Sequence, residues 1–343
     1  MSSSPETPRR ISPEDTLPPV EPPSATFIIQ LFVVPAAIVA IIVLVWTLFN
    51  WLAQMGNDPM SFVRALERNN EARWQAAVNL ADALRNSRDD NPDSLKNNAD
   101  LNRRLAVVLD SELTAGSMQE NPVSLRMFLC RALGEFHVND GLPVLLKAAE
   151  TNRDPAERDV RLAALEGIAL LSQHAPPLDA ELQQRRQQVL LAASRDSDNQ
   201  VRSAAAYALG VLGGDDLIAR LHVLLDDPYA DARFNAANGL ARHGDPACVE
   251  VLCEMLNPDE TAGWKFEQEK AQDYKRAMII VNALRAARQF VAHHPESDRQ
   301  VLAALREAAT RLEQSPYGKS MRTDQIGVEL TQLLIELRPP GTP

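Results

Sequence analysis

The side chains that could ligate a metal, shuttle protons or attack an electrophile are six histidines (His137, His174, His222, His243, His293, His294) and three cysteines (Cys130, Cys248, Cys253). Their spacing supports none of these chemistries. No HExxH run sets two imidazoles on one helix face with a base between them, and no GxSxG turn presents a nucleophile. The cysteines form no CxxC pair. Cys248 and Cys253 stand five apart in one expected helix and so point to different sides, as small buried residues would. Gly210-Val-Leu-Gly213-Gly214 has the glycines of a phosphate loop, but no strand precedes it and no Lys-Ser/Thr follows, so it reads as a helix end. His293-His294 precede Pro295 and suit the solvated C-terminus of a helix. No catalytic residue, metal ligand or cofactor is expected.

Recognition through a surface remains. Trp264 and Phe266 lie in a polar stretch, Asn257 to Asp273, where an aromatic pair can anchor a partner or fold back onto the body. The net charge of -11 disfavours nucleic acid, and basic pairs such as Arg103-Arg104 and Arg185-Arg186 sit among acidic residues. Aromatics are sparse at 5% while Ala and Leu abound, which favours closely packed helices over a β-rich core.

The elements that position these residues begin with an anchor. No charge occurs between Glu21 and Asp58, and Phe27 to Leu52 is apolar apart from Gln30, Thr47 and Asn50. A helix crosses the hydrocarbon in about 20 residues, so this run can span a bilayer with some tilt. Trp46 and Trp51 suit the interface, and Pro35 falls early enough to cost no more than a mild kink. A secretory signal has a shorter apolar core and a small-residue cleavage site, which Asn50 to Met55 does not offer. Residues 1–24, rich in Ser, Pro and Glu, are expected to be disordered. Arg64, Arg68 and Arg73 follow the span, so the positive-inside rule favours a cytoplasmic body, with Arg9 and Arg10 opposing it.

Beyond the anchor a helical period recurs. Small or apolar residues follow an arginine at three, four and seven positions in five places: Arg73, Arg126, Arg161, Arg202 and Arg233. Arg202, for example, is followed by Ala205, Ala206 and Leu209. These offsets draw one apolar stripe along a helix. Second helices are expected at Leu142–Glu150, Glu181–Ser194, Asp215–Asp226 and Ala247–Asn257, with Gly213-Gly214-Asp215 and Gly244-Asp245-Pro246 as stops and starts. The intervals between the arginines are 53, 35, 41 and 31 residues, and the wide first one implies a degenerate unit around Leu101–Ser111. Tyr274–Val291 reads as a long helix in which Arg276 joins the register when shifted by one, and Gln325–Leu337 as a terminal cap. Each pair can bury its stripe against the next pair alone, so several must stack.

The stretch from Asp198 through Val201-Arg202 to Leu209-Gly210 and Gly213 resembles a HEAT repeat of the short type first described in phycobilin lyases, and Ala232 to Leu256 follows it closely. The resemblance implies an all-α solenoid of stacked antiparallel helix pairs, here with one transmembrane helix. It also implies a structural ladder between the repeat arginines and turn aspartates. Asp196 with Arg202 and Asp227 with Arg233 share a six-residue spacing, while Asp154 with Arg161 departs by one. In such solenoids the second helices line the binding face, so Lys147, Arg185, Arg220, Glu250, Glu254 and Arg306 join Trp264 and Phe266 as candidate contacts. The His-Glu pairs by which HEAT-like deoxyhypusine hydroxylases hold iron are missing. The expected organisation is a tail (1–24), a transmembrane helix (25–53), degenerate repeats (54–119), HEAT-like repeats (120–257), a divergent repeat with its cap (258–338) and a tail (339–343). The expected function is a membrane-anchored, non-catalytic scaffold for a protein partner, a membrane complex included. The alternative is an enzyme or chromophore-handling protein of the lyase-like branch.

Overall fold

The structure is a computed structural model that describes residues 24–55, 59–67, 73–87, 94–294, 299–320 and 324–338. The tail before Ser24, residues 339–343, Arg68 and the side chain of Trp51 lie outside the described residues. The chain divides into two units, Met1–Asp58 and Pro59–Pro343.

The first unit holds α1 (Ala25–Met55), 31 residues that run unbroken through Pro35. The hydroxyl of Thr47 donates to the Val43 carbonyl at 2.5 Å, so this polar group is satisfied within the helix. The stretch Ile29–Phe49 is long and apolar enough to cross a membrane, with a mean hydropathy of 2.8, and none of it is buried.

In the second unit short helices follow one another: α2 (Pro59–Glu67), α3 (Arg73–Arg85), α4 (Ala99–Ala115), α5 (Glu120–Gly134) and α6 (Leu142–Glu150). Next come α7 (Arg158–His174), α8 (Ala180–Ala193), α9 (Asn199–Leu212), α10 (Asp215–Leu224), α11 (Ala230–Arg242) and α12 (Val249–Leu256). The series ends with α13 (Glu269–His293), α14 (Arg299–Gln314), α15 (Pro316–Ser320) and α16 (Gln325–Glu336). No strand occurs among the described residues. Two layers result. The odd-numbered helices from α3 to α13, closed by α16, stack side by side; the even-numbered ones from α2 to α14 form the second layer and lean on the first. This is an all-α solenoid.

The apolar stripes explain the stacking. In α9, Val201, Ala204, Ala205, Ala208 and Leu209 are buried at the offsets of one helix face. Small residues let backbones meet. A Cβ added to Gly134 would lie 2.5 Å from the Cα of Gly167, and one on Gly210 equally close to Gly239, so α5 meets α7 and α9 meets α11 at glycine pairs. The turns break the helices as expected. Gly213 and Gly214 take positive φ after α9, and Asp245 accepts the Ala247 N–H as it starts the segment leading to α12. The four second helices fall within two residues of their expected bounds at both ends.

Two expectations are corrected. Leu101–Ser111 is not a separate degenerate unit: it lies inside α4, the second helix of the pair begun by α3, and the wide interval comes from a long connection before α4. Arg276 needs no shift of register. Ile279, Ile280 and Ala283 follow it at three, four and seven positions, and all three are buried.

Candidate interaction surface

The repeat arginines build the ladder, in a form the turn spacing did not specify. Each donates to a carbonyl at or just beyond the end of the second helix before it. Arg73 Nε reaches Leu66 O at 2.6 Å, Arg126 Nη1 reaches Glu112 O at 3.3 Å, and Arg161 Nε reaches Ala149 O at 3.4 Å. Arg202 Nη1 and Arg233 Nη1 reach the main-chain oxygens of Asp196 and Asp227 at 3.0 and 2.9 Å. These are the carbonyls that a helix C-terminus leaves without partners. The carboxylates are engaged from one unit away. Asp196 pairs with Arg161, and Asp227 receives a two-pronged contact from Arg202, at 2.7 and 3.0 Å. Arg233 continues to Glu254, and Arg73 to Glu112 at 2.9 Å. The expected partnership of Asp227 with Arg233 is therefore a main-chain contact, while its charge belongs to Arg202.

Burial pushes the carboxyls of Asp196 and Asp227 up, but hydrogen bonds from Arg161 and Arg202 and from the N–H groups of Asp198 and Tyr229 outweigh it, holding both below the usual carboxylate range. Arg126 is the exception. Its side chain is 0% exposed, its Nε has no partner, and burial holds its pKa below the usual arginine value. The nearby Glu157 is taken by Arg153, whose Nε donates to it at 3.0 Å.

Three histidines staple the other end of the first layer. His243 Nε2 donates to Gly210 O at 3.0 Å, His293 Nε2 to Arg242 O at 2.9 Å, and His294 Nε2 to Gly244 O at 2.7 Å. His293, which is exposed, and the half-buried His294 thus also cap the neighbouring α11. Cys130 and Cys248 are buried, and burial pushes both thiols up to about 12, which keeps them protonated at neutral pH.

The candidate contact residues separate. On the second layer Lys147 pairs with Asp110 at 2.6 Å and Arg185 with Glu150, each bridging to the preceding second helix. Arg220 reaches Ser194 Oγ and O at 2.8 and 2.6 Å, and Arg306 Nε reaches Leu337 O at 2.6 Å. Glu254 is held by Arg233. Among these six, Glu250 alone is exposed with no partner among the described residues. The aromatic pair is split. Trp264 folds back, its Nε1 donating to Glu260 O at 2.8 Å and its ring under the Arg276 guanidinium at 5.3 Å, whereas Phe266 is 88% exposed. Arg276 also lies 3.9 Å from the Tyr317 ring centre and donates to Pro258 O, which pins the whole 257–268 insertion. Its role was missed, although the arginine template itself would have found it.

With the repeat geometry established, the comparisons with known proteins bear on the class. Residues 187–264, from the middle of α8 to Trp264, match the family model described as HEAT repeats. No curated protein matches the chain. Among solved structures, an engineered protein is similar at 18% identity, covering 82% of this chain and 96% of that one with a TM-score of 0.37. YibA of Escherichia coli is similar at 17% identity, over 85% and 96%, with a TM-score of 0.41. The class, an all-α solenoid carrying HEAT repeats, rests on the stacked pairs and the family match.

Proposed function

We propose that this protein is a membrane-anchored, non-catalytic adaptor whose solenoid holds a protein partner beside the bilayer. One contrast carries the reading. The Ile29–Phe49 stretch is apolar apart from Gln30 and Thr47 and entirely unburied, while apolar side chains of the second unit form a continuous core. Lack of burial speaks against a core helix, and the length of the apolar run against a signal peptide. The seventeen Phe, Ile, Leu and Val residues between Phe27 and Leu52 favour insertion by about 5–10 kcal/mol. Trp46, near the end of the span, suits the headgroup region. The Arg-rich stretch after the span favours a body on the cytoplasmic side.

The solenoid supports the other half of the reading. Its side chains are spent on joining units to one another, which leaves an extended, rigid surface suited to recognition. Tethering holds partner and adaptor near one surface and raises their effective concentration with no added contact. The test is alkaline extraction of membranes followed by crosslinking and pull-down of the full chain from solubilised membranes. Retention in the membrane with a reproducible crosslinked partner is expected. Release by alkali, or a partnerless monomer, overturns the proposal, as does a purified protein whose absorbance reveals a bound chromophore or metal.

A further inference from the structure

Neighbouring second helices are laced together along their exposed sides. Lys147 joins α6 to α4, Arg185 joins α8 to α6, and Arg220 joins α10 to α8. Between α10 and α12 the pattern changes. These two helices do not come into the side-by-side contact that α12 makes with α14, and His222 Nε2 of α10 meets instead Asp245 Oδ2, in the turn before α12, at 2.7 Å. A groove of about 710 Å³ opens there, within the range of pockets that bind ligands. Leu225, Pro228, Ala247 and the largely buried Val251 supply the apolar part of its lining, Asp226, Asp227, Glu250 and Glu254 the acidic part, and Arg233, with His222, the basic part.

The four carboxylates are not equivalent. Asp227 and Glu254 are neutralised by Arg202 and Arg233, as rungs of the ladder. Asp226 and Glu250 are exposed and have no partner among the described residues. A second groove, of about 280 Å³ at the turns before α7 and α9, makes the contrast plain. There Arg153, Arg158 and Arg161 face Asp154, Asp196 and Asp198, so the charges balance within the chain. The α10/α12 groove is therefore wide, partly apolar and short of cations.

We infer that this groove receives a basic segment of a partner protein, whose Lys or Arg side chains meet Asp226 and Glu250 while an apolar side chain between them reaches Leu225 and Val251. Anionic partners are repelled by the same lining. The biological partner rests on the adaptor reading; the binding itself does not.

The probe is a fluorescein-labelled Gly/Ser peptide with a central Arg-Leu-Arg-Leu-Arg run, titrated by anisotropy against the full chain in detergent micelles at physiological salt. Saturable binding is expected. D226K/E250K should weaken it about ten-fold, and the milder D226N/E250Q about three-fold or more, with helical circular dichroism unchanged. D82K/E181K makes the same change in net charge far from the groove and should weaken binding less than about two-fold. No binding, no loss in either groove variant, or an equal loss in the distant pair overturns the inference. The crosslinking experiment separates the two readings. A partner still captured by D226K/E250K removes the groove and leaves the adaptor standing. Groove-specific peptide binding without any captured partner does the reverse.

Discussion

Arg202 and Arg276 occupy the same place two helix pairs apart in the solenoid and are held in opposite ways. Both donate to a carbonyl at the end of the preceding second helix. Arg202 then reaches the half-buried turn and grips Asp227, whose side chain is 7% exposed. Arg276 pairs with no carboxylate among the described residues and lies instead over the rings of Tyr317 and Trp264. By the pattern of Arg161 and Arg202 its carboxylate would come from the turn after α14, where Tyr317 stands instead, and the Tyr317 ring, with Trp264 from the 257–268 insertion, substitutes for the missing charge. What is constant along the ladder is the main-chain contact. The second partner varies with the local turn.

The comparison predicts a ranking. Arg202→Ala is the most damaging change, because it takes from the buried Asp227 its charged partner and leaves it the Tyr229 N–H; a loss of about 3–5 kcal/mol in urea denaturation is expected. A loss under 1 kcal/mol would show that the ladder contributes little. Acid should act on the same rungs next. The native carboxyls of Asp196 and Asp227 bind protons less tightly than in the unfolded chain. Their contribution is thus complete above the ordinary carboxylate pKa of about 4 and disappears as pH falls through their lowered native values. The denaturation midpoint should be flat from pH 6 to 5 and drop below about pH 4, and Asp196→Asn with Asp227→Asn should flatten that drop.

Arg276→Ala removes a stacked cation and should cost about 1–2 kcal/mol. The effect should be local: faster proteolytic cleavage within 257–268, with amide protection in α7 and α9 unaltered. If protection falls throughout, the insertion is integral to the stack and the contrast between the two rungs fails. Arg126→Met is expected to have the smallest effect, within about 1 kcal/mol and of either sign. Its charge is buried with an unpartnered Nε, and a methionine of similar volume needs no partner. A loss as large as that of Arg202→Ala would show that Glu157 compensates it after all.

Helix pairing was legible because it depends on local period and punctuation. The stripes after the repeat arginines and the Gly-Asp turns placed α6, α8, α10 and α12 within two residues at each end. The direction of the ladder was not, since the six-residue spacing of Asp227 and Arg233 is the same whether the charge is shared within a turn or across units. That choice is made by where helices stand in space. The candidate contacts suffered for the same reason. The helical period permits Lys147, Arg185, Arg220, Glu254 and Arg306 to face outward, but other helices occupy them, the paired α11 in the case of Glu254. Trp264 and Phe266 differ by two positions, and helical spacing is silent inside an insertion about which of two rings turns inward. Glu250 kept its place as a free surface charge because α10 stands away from α12.

The arginines grip oxygen atoms of the main chain across intervals of 6, 7, 12, 14 and 18 residues. Every amino acid carries that oxygen, so the joint makes no demand on which residue stands at the end of a turn, nor on how long the turn is. Connecting segments can therefore lengthen, shorten and change in composition over generations while the stack stays bolted together. The 257–268 segment is a case of such growth, accommodated by a joint indifferent to it.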